Sequence, residues 1–328
     1  MSLTTQVCGI DVSLDMLDCC TLAEGLPRND WQLPNAINLI EQQFSLPEYD
    51  QTLFVVESTG NYSAKVLHVL SKLGRPVAAV NPYQSKSFMS AMGHVSKTDK
   101  QAAWSLARMG SYLELRLYKA PSMEQQQLKQ TMQAVNALEK QAQMLENQLH
   151  ALAQLPFVEP SSQQALQQVL DTVRAQLEPL KEQLYRPAAD PHYQEKMDLA
   201  TSVMGIGIKT ASAILLATNG LEGFDQANKV AKYLGLTPHS HFSGSSIRKR
   251  GKITKYGNTD VRALLYNCTR SAIRYNKACG ELYKRLRKKG KPHKVAAVAV
   301  MHKLVKQVFF CVNSKMMFDN DFEENRKK

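Results

Sequence analysis

The sequence predicts an N-terminal α/β layer domain, then a long helical hairpin, then a mostly helical and strongly basic region. Three observations carry this. Short apolar runs alternate with amphipathic stretches as far as Tyr112. A stretch rich in Gln, Leu, Ala and Glu, with heptad spacing, starts at Met123. Beyond Gly244 the cations far outnumber the acids.

In the N-terminal part, Gln6–Val12 (QVCGIDV) and Leu14–Leu22 read as two strands joined by a short turn, with Asp11 at the end of the first. Leu33–Phe44 has helical spacing. Thr52–Val56 (TLFVV) is an unbroken apolar run, as in a strand covered on both faces, and Glu57 follows it directly. Ser63–Leu73 is helical, Pro76–Val80 (PVAAV) is a second buried strand, and helices are expected at Gln84–Met92 and Lys100–Tyr112. Ligands of open α/β sheets collect at the carboxyl ends of the strands. Asp11 and Glu57 lie at such ends, and Asp99 opens a helix in KTDK. Carboxylates gathered there repel one another unless a divalent cation bridges them, and Mg²⁺ is the usual partner of phosphate chemistry. Ordinary caps and turn acids are the plainer reading, above all for Asp99.

From Met123, Leu128, Thr131, Val135, Leu138, Ala142, Leu145, Leu149 and Leu152 recur at alternating steps of three and four. After Pro156 and Pro160 a second seam runs through Leu166, Leu170, Val173, Leu177, Leu180 and Leu184. The two predict an antiparallel coiled-coil hairpin over 121–190, either a strut within the chain or a surface for pairing with another copy. Pro179 should kink or weaken the second helix. RPAADP at Arg186–Pro191 reads as a linker. Met204–Ala217 (MGIGIKTASAILLA) then opens an apolar helix from a Gly-Ile-Gly turn, in the manner of a helix-hairpin-helix element. Its backbone N–H groups could hold a phosphate, with Gly205 and Gly207 allowing close approach and Lys209 adding charge; plain helical packing is the alternative.

Thr237–Lys255 (TPHSHFSGSSIRKRGKITK) concentrates Ser240, Ser243, Ser245 and Ser246, His239 and His241, and the cations Arg248, Lys249, Arg250, Lys252 and Lys255. Hydroxyls on a flexible loop beside such a run suit a phosphodiester backbone, as ligand or as target. The bland alternative is a solvated Ser/Gly turn before a basic surface strand. Helices follow at Asn258–Ile273, with Arg262, Arg270 and Arg274 toward one surface, at Cys279–Lys289, and at Lys294–Val312, whose apolar stripe should be core. Met316–Lys328 reads as a frayed tail. Tyr256, Tyr266, Tyr275 and Tyr283 interleave the cations, either packed beneath them or as a stacking platform for bases.

The 328 residues carry a net charge of +12, with 44% hydrophobic and 21% charged residues, as in a multidomain globular chain. Residues 245–306 hold 18 Lys/Arg against Asp260 and Glu281, a surplus of +16 that leaves the remainder at −4. Asymmetry of this size calls for a polyanion. Gly and Pro interrupt the basic segment, so nucleic acid suits it better than a membrane surface. The six cysteines show no zinc spacing, and the adjacent Cys19 and Cys20 suit buried thiols on a strand. With no apolar run of about 18 residues and no leader pattern, an intracellular, reduced setting is expected.

GIDVS, VVESTGNY, VNPYQSKSF and KTDK, followed downstream by GIGIKTA, GLTPHSHFSGSS and a basic C-terminus, together resemble the Piv-type DNA invertase and insertion-sequence transposase family. The resemblance runs over roughly residues 5 to 310. It implies an RNase H/RuvC-like DEDD domain at 1–120, the hairpin at 121–190, and a serine recombinase domain at 191–328. It further implies a DNA recombinase acting on donor and target DNA, working in the bacterial cytoplasm as a homo-oligomer (dimer or tetramer); several members are guided by a structured bridge RNA, also called seekRNA. Carried over position by position, Asp11, Glu57 and Asp99 match the first three acids, which would hold Mg²⁺. The fourth belongs three residues after Asp99, where this chain has Ala102. The intact surroundings favour a deliberate Asp→Ala exchange over natural loss, and either way metal binding should weaken. Ser243, the first serine of SGSS, falls on the nucleophile position, with Ser245, Ser246, Arg248 and Lys249 around the phosphate and the acids and serine meeting across protomers. Two rivals stand beside this reading: a metal-dependent nuclease or junction resolvase that uses water, and a nucleic-acid-binding module without catalysis.

Overall fold

In the computed structural model of the chain the described residues are 6–58, 60–93, 99–185, 190–243, 247–253 and 257–321; for Asp99, 238–243 and 247–252 the description is of the backbone alone. Two compact units divide the chain, Met1–Ala120 and Pro121–Lys328.

A five-stranded sheet organises the first unit. Its strands are β1 Gln6–Val12, β2 Met16–Ala23, β3 Asn29–Pro34, β4 Thr52–Glu57 and β5 Val77–Val80. They lie in the order β3-β2-β1-β4-β5, with β1 to β3 an antiparallel meander and β4 and β5 added parallel to β1. This mixed sheet is that of an RNase H/RuvC-like α/β domain. Every residue of β4 is buried, because helices cover both faces. Side chains alternate between faces along each strand. On one face Cys8, Ile10, Leu17, Phe54 and Val56 pack with α1 (Ile37–Phe44) and α2 (Ala64–Lys72). Phe44 and Phe54 meet edge to face there, their centroids 4.9 Å apart. On the other face Val7, Cys20, Leu53, Val55 and Val80 pack with Ala103, Leu106, Ala107 and Met109 of α4 (Asp99–Tyr112). A further helix, α3 (Pro82–Ala91), starts just after β5 and lies against α4.

The strand β3 corrects the sequence reading, which runs a helix from Leu33. Only Trp31 and Leu33 of β3 are half-buried, its other residues being exposed. A short polar edge strand has too few apolar positions to display its period of two. The thiols of β2 are buried as expected, Cys19 at 2% and Cys20 at 0% exposure, and burial, with Asp30 beside it, pushes Cys20 up to about 12.

In the second unit, α5 (Met123–Leu152) starts at a capping box in which Ser122 accepts from the Gln125 amide and the Gln125 side chain returns the bond. A turn leads to α6 (Pro160–Tyr185), which runs without interruption through Pro179. The two helices pack as a hairpin along the expected stripe, with Ala142, Leu145 and Leu149 against Leu166, Leu170 and Val173 and Arg174 bonded to Glu146 at 2.9 Å. The hairpin shares its compact unit with the C-terminal helices. These are α7 (Pro191–Ser202), α8 (Ile208–Thr218), α9 (Ala227–Tyr233), α10 (Thr259–Tyr275), α11 (Lys277–Lys288) and α12 (His293–Ser314). A two-stranded antiparallel sheet, β6 (Pro238–Ser243) with β7 (Ile247–Ile253), interrupts the helices. The helix α7 is not foreseen from the sequence.

By length and composition α12 could cross a membrane, at a mean hydropathy of 1.7. Its stripe Ala296, Ala297, Val300, Leu304 and Val308 is instead fully buried in the core of this unit. The segment read as a frayed tail is tied down as far as Asp321: the Phe318 amide donates to Ser202 Oγ, the Asn320 side chain to Tyr275 O, and Lys277 pairs with Asp321.

The contact of α4 with β1 admits no side chain at Gly9. A Cβ there would lie 2.1 Å from Ala103 O and 2.3 Å from Ala107 N, both backbone atoms. Gly9→Ala is therefore expected to destabilise the chain by about 2 kcal/mol or more, as overpacking does, read as a lower denaturant midpoint. An unchanged midpoint would mean that α4 does not rest on β1.

Candidate functional site

Two separate assemblies of candidate residues are present, one in each unit. In the first, β1 and β4 run parallel, and their last paired residues are Ile10 and Val56. Asp11 and Glu57 follow immediately on both strands. They therefore lie side by side on neighbouring strands, roughly 4.8 Å apart in the direction of strand pairing. By strand alternation both face the side that α4 covers. The helix runs antiparallel to β1: Gly110 touches Val7 and Val55, while Ala103 and Ala107 touch Gly9. Its first turn, from Asp99 to Ala102, is thereby carried toward the carboxyl ends of the strands. Ala102 is 2% exposed in that turn.

The Glu57 side chain is 4% exposed. Ser85 of α3 donates its hydroxyl to Glu57 Oε2 at 2.6 Å. A buried carboxylate held by a short charge-assisted bond is positioned rather than merely tolerated. The sequence reading passes over a third acid. Asp18 of β2 pairs across from Asp11 in register, shares its face, and is 8% exposed, with Gln32 Nε2 donating to Oδ1 at 2.7 Å. Its signal was present in MLDCC, an acid set between positions that must be buried. Among the described residues no three His, Cys, Asp or Glu side chains converge as a metal-binding group. Asp11 and Glu57 do supply hard oxygen donors on adjacent strands, the donor chemistry that suits a divalent cation.

The second assembly is the cationic hairpin. The sequence reading makes 237–255 a flexible loop or, alternatively, a Ser/Gly turn before a basic surface strand; among its described residues the backbone forms β6 and β7, the latter as that alternative has it. Ser243 is the last residue of β6 and pairs with Ile247, while Phe242 pairs with Arg248 and His239 with Lys252. Ser245, Ser246 and Lys255 lie outside the described residues, and for Ser243, Arg248, Lys249, Arg250 and Lys252 only the backbone position is described. Local polarity obscured β6, because a segment rich in Ser and His lacks the apolar alternation by which strands are recognised. The base of the ribbon is closed by glycines. A Cβ on Gly257 would fall 2.2 Å from Leu234 C, so the chain entering and the chain leaving touch backbone to backbone.

Arg262 does not project toward a ligand as the sequence suggests. Its Nη2 donates to Thr259 Oγ1 at 3.1 Å, it lies against Gly235, and its buried Nη1 has no hydrogen-bond partner. The Gly-Ile-Gly element also divides. Gly205 packs inward, where a Cβ would meet Ala272 at 2.8 Å, and only Gly207, the N-cap of α8, faces open space. Lys209 forms an ion pair with Glu139 of α5, so its charge is already compensated. The turn is held from beneath by Asn276, which is 1% exposed and donates to Met204 O at 3.2 Å and to Gln307 Oε1 at 3.0 Å.

Removing the Ser85 hydroxyl takes one short charge-assisted bond from the buried Glu57. Ser85→Ala should lower stability by about 1.5–3 kcal/mol, the range for bonds to charged groups. The exposed Ser87→Ala, whose hydroxyl donates to Tyr83 O, should stay within about 0.5 kcal/mol. Equal denaturant midpoints for the two variants would refute this role for Ser85.

Two family models match the chain. A DEDD transposase model of IS110 elements, described as Transposase, matches residues 8–158. A second, described as Transposase IS116/IS110/IS902 family, matches residues 197–284. Along most of its length the chain is similar to the pilin gene-inverting protein of Moraxella bovis, 28% identical over 96% of this chain and 98% of that protein. It is equally similar to that of Moraxella lacunata, at 27% over the same shares. Among solved structures, a Thermus thermophilus RuvC structure aligns with 34% of this chain and 99% of its own, at 17% identity and a TM-score of 0.28. The chain thus carries transposase domains of the kind found in IS110-type elements, one over residues 8–158 and one over residues 197–284.

Proposed function

We propose that this transposase-family chain cuts and rejoins DNA with two chemical groups: a divalent metal ion held in the first unit and the Ser243 hydroxyl of the second. The observation that carries the reading is the placement of Asp11 and Glu57 at the ends of adjacent parallel strands, on the face covered by α4. With Asp99 they would hold Mg²⁺, which when bound neutralises charge on a phosphate and lowers the pKa of a bound hydroxyl. Ser243 Oγ would form a bond to phosphorus while the bond to one deoxyribose oxygen breaks, and the serine proton ends on that oxygen. The phosphoserine keeps the phosphodiester's bond energy, so a new strand end can displace the serine and reseal the backbone. Arg248, Lys249, Arg250, Lys252 and Lys255, with Ser245 and Ser246, would line the DNA backbone. Gly207, at the open N-terminus of α8, would add a phosphate contact of helix-hairpin-helix type. DNA inversion, after the relatives named for inverting pilin genes, is one form of this exchange. A structured bridge RNA as guide, and assembly into a dimer or tetramer, complete the proposal.

A second reading has specific support. The chain carries a DEDD-type domain, and carboxylate-bound metal ions ordinarily activate water, which cuts DNA without a covalent intermediate. The serine step and this hydrolytic chemistry are therefore rivals for the same phosphodiester. Denaturing electrophoresis after incubation with labelled DNA and Mg²⁺ separates them. On the phosphoserine reading a protein–DNA adduct forms and is absent in Ser243→Ala; cleavage that persists in Ser243→Ala and disappears in Asp11→Asn and Glu57→Gln supports water.

Ala102→Asp should restore a ligand position in the first turn of α4. An uncompensated carboxylate at a 2% exposed position destabilises. The variant is therefore expected to melt below the parent in EDTA, to recover with Mg²⁺ by mass action, and to cleave DNA faster. A melting temperature indifferent to Mg²⁺ would exclude position 102 from the metal site. Sequencing the RNA that co-purifies with the chain, and measuring its mass in solution, test the guide and the oligomer.

A further inference from the structure

The helices α10, α11 and α12 meet at three side chains that the carboxylates and the serine hairpin leave unused. Tyr283 Oη lies 2.8 Å from His293 Nδ1, and Tyr266 Oη lies 3.4 Å from His293 Nε2. The Tyr283 ring stands edge-on to the imidazole at 5.8 Å. Each ring nitrogen thus faces a phenol oxygen. A neutral imidazole has one N–H and one bare nitrogen. One phenol must therefore donate to the ring, and the other accepts from it with its own O–H turned away. This holds for either tautomer, and a charged ring would turn both O–H groups away. His293 and Tyr266 are exposed and Tyr283 is half-buried, so with the proton on Nε2 the Tyr266 hydroxyl is left to donate to a ligand at the surface.

The surroundings select the kind of acceptor. Seven cations lie between Lys284 and Lys294, all exposed, with no acid among them in sequence. None has an acidic partner among the described residues, whereas Lys277 and Lys315 nearby are paired with Asp321 and Glu195. The negative end of the α11 dipole accounts for Arg285, Arg287 and Lys288 in its last turn. It does not account for Lys289 and Lys291 beyond the helix, and Lys294 stands in the first turn of α12, where the dipole opposes a cation. Concentrated like charge without compensation disfavours the free protein and is relieved by a polyanion.

We propose that the Tyr266–His293–Tyr283 cluster and the cationic tips of α11 and α12 form a clamp for the DNA backbone. One phosphate oxygen accepts from the outward phenol, and flanking phosphates face Lys288, Lys291 and Lys294. The choice of DNA rests on the transposase reading; the clamp itself depends on neither Ser243 nor the carboxylates. The neutral and charged members contribute differently, which makes the site testable by titrating the full chain with short duplex DNA across a range of salt concentrations. Tyr266→Phe/Tyr283→Phe removes hydroxyls and no charge, so affinity should fall about tenfold at fixed salt with an unchanged salt slope. Lys288→Ala/Lys291→Ala/Lys294→Ala should flatten the slope of log K against log salt by about 0.9 for each phosphate left without its lysine.

If the parent binds duplex DNA and both variants match it in affinity and slope, the clamp does not exist. If the tyrosine variant melts at a lower temperature but binds as tightly, the cluster is a staple between helices and the proposal falls. Variants that lose a structured RNA while keeping duplex DNA would overturn DNA as the partner. A parent chain that binds no duplex DNA removes the recombinase reading itself, and the clamp with it.

Discussion

The close approach of α4 to β1 at Gly9 is the constraint on which the first unit depends. The backbone of Ala103 and Ala107 occupies the space that a side chain at position 9 would take. Helix and strand are thereby locked in register, antiparallel, and a few ångströms nearer than side chains allow. That register carries the first turn of α4 toward the ends of β1 and β4, where Asp11 and Glu57 stand. An open sheet with a helix riding higher would leave these carboxylates solvated and unaligned. The support behind them, Ser85 on Glu57 and Gln32 on Asp18, costs backbone and side-chain freedom that an ordinary surface acid keeps.

The second unit solves a different problem, which is to present much positive charge without losing its core. It does so by segregation. The apolar length of α12 is spent on the interior, and Asn276, at the junction of α10 and α11, bonds to Met204 in the turn before α8 and to Gln307 of α12. Cations are then left exposed at the tips of α11 and α12. Where compensation is needed for structure it is supplied pairwise, as for Lys209 with Glu139 and Lys277 with Asp321. The uncompensated remainder, between Lys284 and Lys294, is the part with charge available for a ligand.

These two designs suit a DNA recombinase, whose substrate is at once a polyanion to be gripped and a phosphodiester to be broken. Gripping draws on many weak, salt-sensitive contacts spread over a surface. Breaking draws on a few groups held within tenths of an ångström.

Much of this was legible in the sequence, and the limits are physical. Runs such as TLFVV and PVAAV, the heptad steps of the hairpin and the stripe of α12 declared their elements, because burial on a regular element imposes its period on the residues. Asp11 and Glu57 could be named, since an acid at the end of an apolar strand is costly without a reason. The polar edge strand β3 was hidden, because backbone pairing asks little of side chains that face water. Only tertiary structure decided which candidates look outward: Arg262 turned onto Gly235, Gly205 turned into Ala272, Lys209 tied to Glu139. It also brought together Asp18 with Asp11 and the two tyrosines with His293. Those juxtapositions depend on strand pairing and helix crossing between distant segments, and no local pattern of residues encodes a distance between segments that meet only when the chain has folded.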